Sequence, residues 1–187
     1  MKNTELEKII FERRTIHEFQ DVPVEESVLY RAVESVIYAP NHKLTFPWQI
    51  IRLGPNLKTK IASTIARKKR LDKNLSEAAE ATIKNQFIRI PEMLIFVQKI
   101  GGSEFQQKED YAAIACGIQN FGLYLWGQGY GCKWSTTQAI QDSSIYQELG
   151  LDIKVNTIVG LIFVGVAKKI PPISARPELN QVFSKTK

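Results

Sequence analysis

The sequence predicts an α+β fold, arranged as one layered domain over residues 1–187. Stretches with apolar residues at helical spacing alternate with short apolar runs that are typical of buried strands. Only about four strand-like runs are visible along the chain, which favours an α+β arrangement. The length suits one hydrophobic core and is short for two domains.

The first helix is expected from Glu5 to Arg13. Thr4 and Glu7 form a capping-box pattern, and apolar residues then follow at helical spacing. Arg13 and Arg14 therefore lie at the end of the helix. Paired guanidinium groups can bind a phosphate monoester through parallel hydrogen bonds, or they can form a solvated basic helix end that complements the helix dipole. This stretch alone leaves both interpretations open.

Further elements follow from the same periodicities and from the breaks between them. Helices are expected near 29–37, 57–65, 76–90, 106–128 and 145–149, and strands at 48–53, 93–98, 132–134 and 157–166. Residues 170–187 contain Pro171, Pro172 and Pro177 and show no clear periodicity. We expect them to form a C-terminal arm that lies along a surface, either of this chain or of a partner.

The longest predicted helix, at 106–128, is apolar nearly all round, which is typical of a core helix or a dimer-interface helix. Gly117 and Gly122 in its interior each cost about 1 kcal/mol relative to alanine, and they suggest close packing against a neighbour. The glycine-rich stretch at 127–131 follows the helix and precedes a strand. This order favours a helix C-cap, because a dinucleotide-binding fingerprint follows a strand and opens a helix.

The positive net charge raises the question of a nucleic-acid partner. The formal charge is +6, but no nucleic-acid-binding motif accompanies it, so we expect no nucleic-acid partner. The basic run at 67–70 is interpreted as a solvated helix face, or else as a positive field that attracts anionic nucleotides.

Cysteine usage and hydropathy limit the remaining classes. Cys116 and Cys132 do not form a disulfide framework, and both are expected to be buried thiols. Together with two histidines they are poor material for a metal site. No apolar run reaches the ~20 residues of a membrane helix, and the first residues lack a signal-peptide pattern. The expected location is therefore cytoplasmic, without membrane contact.

Several stretches together resemble the nitroreductase-like FMN-dependent oxidoreductases, most closely their compact bacterial subgroup. ERRTIHEF at 12–19 resembles the RRS-x-R-x-F opening of that family, and APNHK followed by Pro-Trp, within 39–48, resembles its second motif. NFGLYLWGQGYGCKW at 120–134 resembles the family's helix and strand. Val-Gly-Val at 164–166, followed by Arg-Pro at 176–177, resembles the closing stretch. The stretches occur in the family's order and span nearly the whole chain.

The resemblance implies a mixed, mostly antiparallel central sheet flanked by helices, in an intertwined homodimer with FMN at the subunit interface. By position, the cofactor-binding residues would be Arg13, Arg14, Thr15, His17, Tyr38, His42, Trp134, Ser135, Thr136 and Arg176. The arginine pair would meet the ribityl phosphate and the flavin pyrimidine edge, and the adjacent threonine would donate its hydroxyl. Residues 134–136 would lie beside the isoalloxazine. Tyr38 and His42 would come from the other subunit, and Arg176 would be a second phosphate ligand.

The implied activity is that of an NAD(P)H-dependent flavin oxidoreductase, which reduces nitroaromatic, quinone or similar acceptors by ping-pong hydride transfer without a protein nucleophile. Some positions depart from the family's usual residues. Thr15 replaces serine, His17 replaces a basic arginine, Tyr38 stands where close relatives use arginine, and 135–136 lacks a cation that some members have. These departures leave an alternative open, an FMN-binding or sensing module with little turnover.

Overall fold

The computed structural model describes residues 4–186, so the outermost residues of the expected domain and arm, 1–3 and 187, lie outside the described part. The described chain forms seven α-helices, α1 (Glu5–Glu12), α2 (Glu26–Val36), α3 (Pro55–Lys73), α4 (Glu77–Ile88), α5 (Glu104–Gly127), α6 (Ser143–Leu149) and α7 (Leu179–Val182). It also forms four strands, β1 (Trp48–Arg52), β2 (Glu92–Lys99), β3 (Gly131–Ser135) and β4 (Asn156–Gly165). Two short 3₁₀ turns, His42–Leu44 and Gln138–Gln141, complete the regular structure described.

The strands form one sheet in the order β1-β2-β4-β3, with antiparallel pairing at each step. β2 and β4 are central and almost wholly buried, as their continuous apolar sequences require. The segment after α1 runs beside the edge strand β3, where Thr15 makes a parallel bridge to Cys132. The expected α+β fold with a mostly antiparallel sheet is confirmed.

Alternate residues of β2 point to opposite faces of the sheet and belong to two separate cores. Met93 and Ile95 pack with α3, α4 and α6 on one face. Leu94 and Phe96 pack with α2 and α5 on the other face. Each face of the sheet is thus covered by helices, and β3 lies at an edge next to the end of α1.

Close packing of α5 is confirmed at both of its interior glycines. A Cβ at Gly117 would lie 2.6 Å from Val36 Cγ1 of α2. A Cβ at Gly122 would lie 3.2 Å from Cys132 Sγ and 3.8 Å from Arg13 Cδ. α5 therefore packs against α2 at Gly117, and against the end of α1 and the start of β3 at Gly122.

Two expectations about the environment of side chains need correction. Cys116 is exposed, so the prediction that both cysteines are buried is wrong. Neighbouring residues on a helix are turned by about 100°, and the inward position belongs to Gly117. The basic run at 67–70 is only partly a solvated face, since Lys68 pairs with Asp142 at 3.2 Å. Its partner comes from another element, which a helical pattern cannot reveal.

The C-terminal region also differs in detail from the expectation. Its last part contains the short helix α7, where the sequence shows no helical periodicity. Most of 168–178 has neither helix nor strand, and the side chains there are largely exposed. No helix within residues 4–186 is both long and apolar enough to cross a membrane.

Candidate cofactor-binding site

The centre of the site is a buried arginine at the end of α1. The capping box of Thr4 and Glu7 starts this helix as predicted, and Arg13 is its C-cap. Arg14 follows and is only 7% exposed, which is rare for an arginine. Its Nη1 donates to the carbonyls of Phe11 at 2.8 Å and Arg13 at 2.7 Å.

The other edge of the Arg14 guanidinium is unsatisfied. Nε and Nη2 are buried and have no hydrogen-bond partner among the described residues. These two N–H groups are parallel and form the fork that binds carboxylate or phosphate oxygens in pairs. Arg52 uses the same edge on Glu92, with Nε at 2.9 Å and Nη2 at 2.7 Å from the two carboxylate oxygens. A buried cation with a free fork fits an anionic ligand.

The next residues are held against β3 in an extended conformation. The Ile16 amide donates to the Cys132 carbonyl at 3.0 Å, and the Ile16 side chain is fully buried. A Cβ on Gly131 would lie 2.2 Å from Ile16 Cγ1, so only glycine leaves room for this contact. Because side chains alternate along extended backbone, Thr15 and His17 point outward together.

The end of β3 supplies a second group of predicted residues. Trp134 is half-buried, and its Nε1 donates to the Val159 carbonyl at 3.3 Å. A Cβ on Gly160 would lie 2.2 Å from that nitrogen, so the indole occupies space that only glycine leaves. Ser135 is half-buried and Thr136 is exposed. Any contact from Trp134 to a ligand would therefore use its ring.

The thiol of Cys132 lies beneath this site and is unsuited to nucleophilic chemistry. Burial raises the pKa of Cys132 to about 11, against the opposing influence of the Arg13 guanidinium. The thiol is therefore protonated at neutral pH, and a protonated thiol is a poor nucleophile.

The other predicted residues lie elsewhere on the chain. Tyr38 is 75% exposed in the turn after α2, and His42 is exposed in the 3₁₀ turn that follows. Arg176 is exposed in the segment between β4 and α7. Among the described residues, none of these side chains hydrogen-bonds to the arginine segment. Within one chain the structure thus brings together 13–15 and the β3 segment.

Sequence reasoning missed one polar cluster, which lies next to the loop at 41–46 that contains His42. Asp110 on α5 is 3% exposed and accepts hydrogen bonds from Thr45 and Gln106. The available signal was a carboxylate within a helix that is otherwise apolar on its inner side. Its partner in the loop at 41–46 is 65 residues away in the chain, so spacing gave no indication of it.

A buried arginine with an unsatisfied fork thus lies beside the edge strand of an α+β sheet. The chain belongs to the nitroreductase family, whose pattern, described as "Nitroreductase family", matches residues 10–166. It is 29% identical over 181 residues to "Putative NAD(P)H nitroreductase YfhC" of Bacillus subtilis (strain 168), covering 96% of this chain and 93% of that protein.

Solved structures agree with this assignment. A nitroreductase-like family protein from Bacillus cereus is 25% identical, with a TM-score of 0.85, and the match covers 100% of this chain and 98% of that one. The NADPH:FMN oxidoreductase of Vibrio harveyi, complexed with NAD⁺, is 13% identical with a TM-score of 0.78, covering 98% of this chain and 78% of that one. At 13% identity, the similarity to the Vibrio harveyi protein shows a shared fold and no more.

Proposed function

We propose that this protein is an FMN-dependent NAD(P)H oxidoreductase that reduces nitroaromatic, quinone or similar acceptors by a ping-pong route. Membership of the nitroreductase family and the NAD(P)H nitroreductase name of its relative support the class of reaction. The observation that carries the cofactor assignment is the buried Arg14 fork, whose Nε and Nη2 have no partner among the described residues.

The residues around that fork fit the phosphate of FMN. A phosphate monoester is close to dianionic at neutral pH, and paired N–H groups can bind two of its oxygens at once. Arg13 adds a second cation next to Arg14, and the Thr15 hydroxyl points outward from the same segment. The donor set is thus two guanidinium groups and one hydroxyl within three residues.

FMN, when bound, supplies the hydride chemistry, so the chain's own task is binding and electrostatics. Arg13 and Arg14 would hold the phosphate, and the Thr15 hydroxyl would donate a hydrogen bond from the same segment. His17 lies outward on the same side, where its imidazole would face the flavin pyrimidine edge. Residues 134–136 would border the ring, and protons would come from water. The buried, protonated Cys132 takes no part.

The remaining half of the site is proposed to come from a second copy of this chain. Tyr38, His42 and Arg176 are exposed and apart from the arginine segment, as residues that serve a partner would be. Large apolar side chains are exposed on α1 and in the C-terminal arm, including Phe11 at 68% and Phe183 at 66%. Such surface is typical of an interface, which supports an intertwined homodimer with an exchanged arm.

We further propose that residues 1–187 form one domain with 170–187 as its arm, and that the protein is located in the cytoplasm. Two free cysteines suit a reducing compartment, where thiols persist.

The test is the visible spectrum of the purified protein after FMN is added and the excess dialysed away. A retained flavin band near ~450 nm that bleaches with NAD(P)H under anaerobic conditions supports the oxidoreductase, since bound FMN carries that chemistry. A retained band that does not bleach would instead favour the FMN-binding or sensing module. A colourless protein would refute both.

A further inference from the structure

The loop at 41–46 has a strained backbone. Lys43, Leu44 and Phe46 have φ angles of 59°, 51° and 48°, so three non-glycine residues lie in the left-handed region. Residues with a Cβ rarely adopt this region, and bulky ones least of all. Strain of this kind persists only where the surroundings hold it, and it is concentrated at ligand clamps and active sites.

A chain of hydrogen bonds holds this loop. Asn41 Oδ1 accepts the Phe46 amide at 2.8 Å, and Asn41 Nδ2 donates to Thr45 Oγ1 at 3.0 Å. The Thr45 hydroxyl donates in turn to Asp110 Oδ1 at 2.5 Å. Gln106 Nε2 donates to the same oxygen at 3.1 Å. The loop is therefore tied to a side chain on α5.

Asp110 is the fixed end of this series of hydrogen bonds. It is 3% exposed on a helix whose next inward residues, Ala113 and Ile114, are buried in the core. A buried carboxylate needs hydrogen bonds, and a hydroxyl that donates to a carboxylate makes a stronger bond than one between neutral groups. Thr45 itself is exposed, so the bond to Asp110 anchors a surface loop to a rigid element.

The anchored loop displays two apolar side chains. Leu44 is 68% exposed and Phe46 is 56% exposed. The Phe46 ring meets Trp48 of β1 edge-on, with 6.3 Å between centroids, so its orientation is also defined. Apolar side chains held outward in a fixed geometry suit contact with a flat, aromatic ligand. In the proposed dimer this loop includes His42, which would approach the partner's flavin.

We propose that Asp110 is a positioning residue, which through Thr45 and Asn41 holds the 41–46 loop so that Leu44 and Phe46 form the apolar wall against which an aromatic acceptor binds. The inference rests on the proposed function, since it assigns the acceptor side of the same site. It makes acceptor affinity depend on one buried carboxylate that touches neither cofactor nor acceptor.

The test removes one hydroxyl without changing the shape of the side chain. Thr45→Val breaks the chain of hydrogen bonds, Thr45→Ser retains it, and Thr59→Val is a matched control. Within residues 4–186, the Thr59 hydroxyl donates only to the Pro55 carbonyl on α3. Two quantities are measured on the full chain. One is hydrogen exchange of the Phe46 amide, and the other is the KM and kcat for 4-nitrobenzoate with FMN and NAD(P)H supplied.

Thr45→Val is expected to speed exchange of the Phe46 amide about tenfold and to raise KM by a similar factor, which corresponds to one charge-assisted hydrogen bond at the lower end of its range. With FMN saturating, kcat of Thr45→Val should stay near wild type, and exchange, KM and kcat of both control variants should stay near wild type. A purely structural role would not separate KM from kcat in this way.

Unchanged exchange in Thr45→Val would overturn the clamp, and faster exchange with an unchanged KM would overturn its role in acceptor binding. Thr45→Ser behaving like the valine variant would also overturn it, because the hydroxyl would then not be the cause. If the wild-type chain takes up no FMN, the proposed function fails. The exchange comparison on the same protein still decides whether Asp110 holds the loop.

Discussion

Replacing Arg14 by methionine separates a ligand-binding arginine from a structural one. Methionine keeps much of the length of the side chain and removes the charge and the N–H groups. In the free protein, the Arg14 fork is buried without a partner among the described residues. Replacing an uncompensated buried cation by an apolar group of similar shape tends to be neutral or stabilising. The two bonds from Nη1 to Phe11 and Arg13 are lost, at about 1.5–3 kcal/mol each because the donor is charged, and this loss offsets that gain.

The effect on FMN binding should be much larger. The free fork offers two N–H groups to a charged phosphate, and each charge-assisted bond contributes about 1.5–3 kcal/mol. The lower limit for two bonds is about 3 kcal/mol, which corresponds to a loss of about 100-fold in affinity. We therefore expect Arg14→Met to raise the Kd for FMN at least about 100-fold while the thermal midpoint of the apoprotein changes little.

The assay is fluorescence titration of apoprotein with FMN, together with thermal unfolding of the apoprotein. Arg52→Met is the matched control, because it removes the same fork from a carboxylate that fills it. That variant should lose stability and keep its FMN affinity. An Arg14→Met protein that melts far below wild type and binds FMN normally would refute the reasoning, since Arg14 would then be structural.

Two further predictions concern stability. Gly117→Ala should destabilise the fold by about 1–3 kcal/mol in chemical denaturation, because its Cβ would lie 2.6 Å from Val36 Cγ1 in a packed core. An unchanged denaturation midpoint would contradict this prediction, since α2 would then shift away from α5 without a cost in stability. The pKa of Asp142, the N-cap of α6, is lowered to about 2, chiefly by a hydrogen bond from the Ser144 hydroxyl. Its carboxylate therefore stabilises the fold fully above its ordinary pKa, and this stabilisation disappears as pH falls through about 2. The stability difference between wild type and Asp142→Asn should therefore shrink between pH 5 and pH 2, and a constant difference would contradict this assignment.

Local features of the sequence predicted most of the fold. The Thr4 capping box is formed as expected, because it depends only on residues three apart. The apolar run at 93–98 lies within β2, and the predicted helix at 106–128 is α5 to within two residues at its start and one at its end. These elements follow from periodicity and from the glycines and prolines that bound them.

Features that depend on contacts between distant residues were not predictable in the same way. The exposure of Cys116 depends on which side of α5 meets α2, and both sides are apolar in sequence. The pairing of Lys68 with Asp142 joins residues more than seventy positions apart. The left-handed residues at 43–46 include no glycine that would have marked them.

The candidate site likewise has features that the sequence predicted and features that depend on contacts between distant residues. The sequence marks Arg13 and Arg14 as an anion clamp, since two guanidinium groups are adjacent. That Arg14 is buried, with one edge satisfied and the other free, depends on how α1 ends against α5 and β3. Residues expected from a partner subunit, such as Tyr38, can only be placed by an assembly that contains both copies.

The most direct test of the central claim compares FMN with riboflavin, which lacks the phosphate. Apoprotein is titrated with each flavin, and the Kd values are taken from fluorescence quenching. If the Arg14 fork closes on the phosphate, FMN should bind at least about 100-fold more tightly than riboflavin, as two charge-assisted bonds require. Arg14→Met should remove most of that preference. Equal affinity of the wild-type protein for the two flavins would contradict the account.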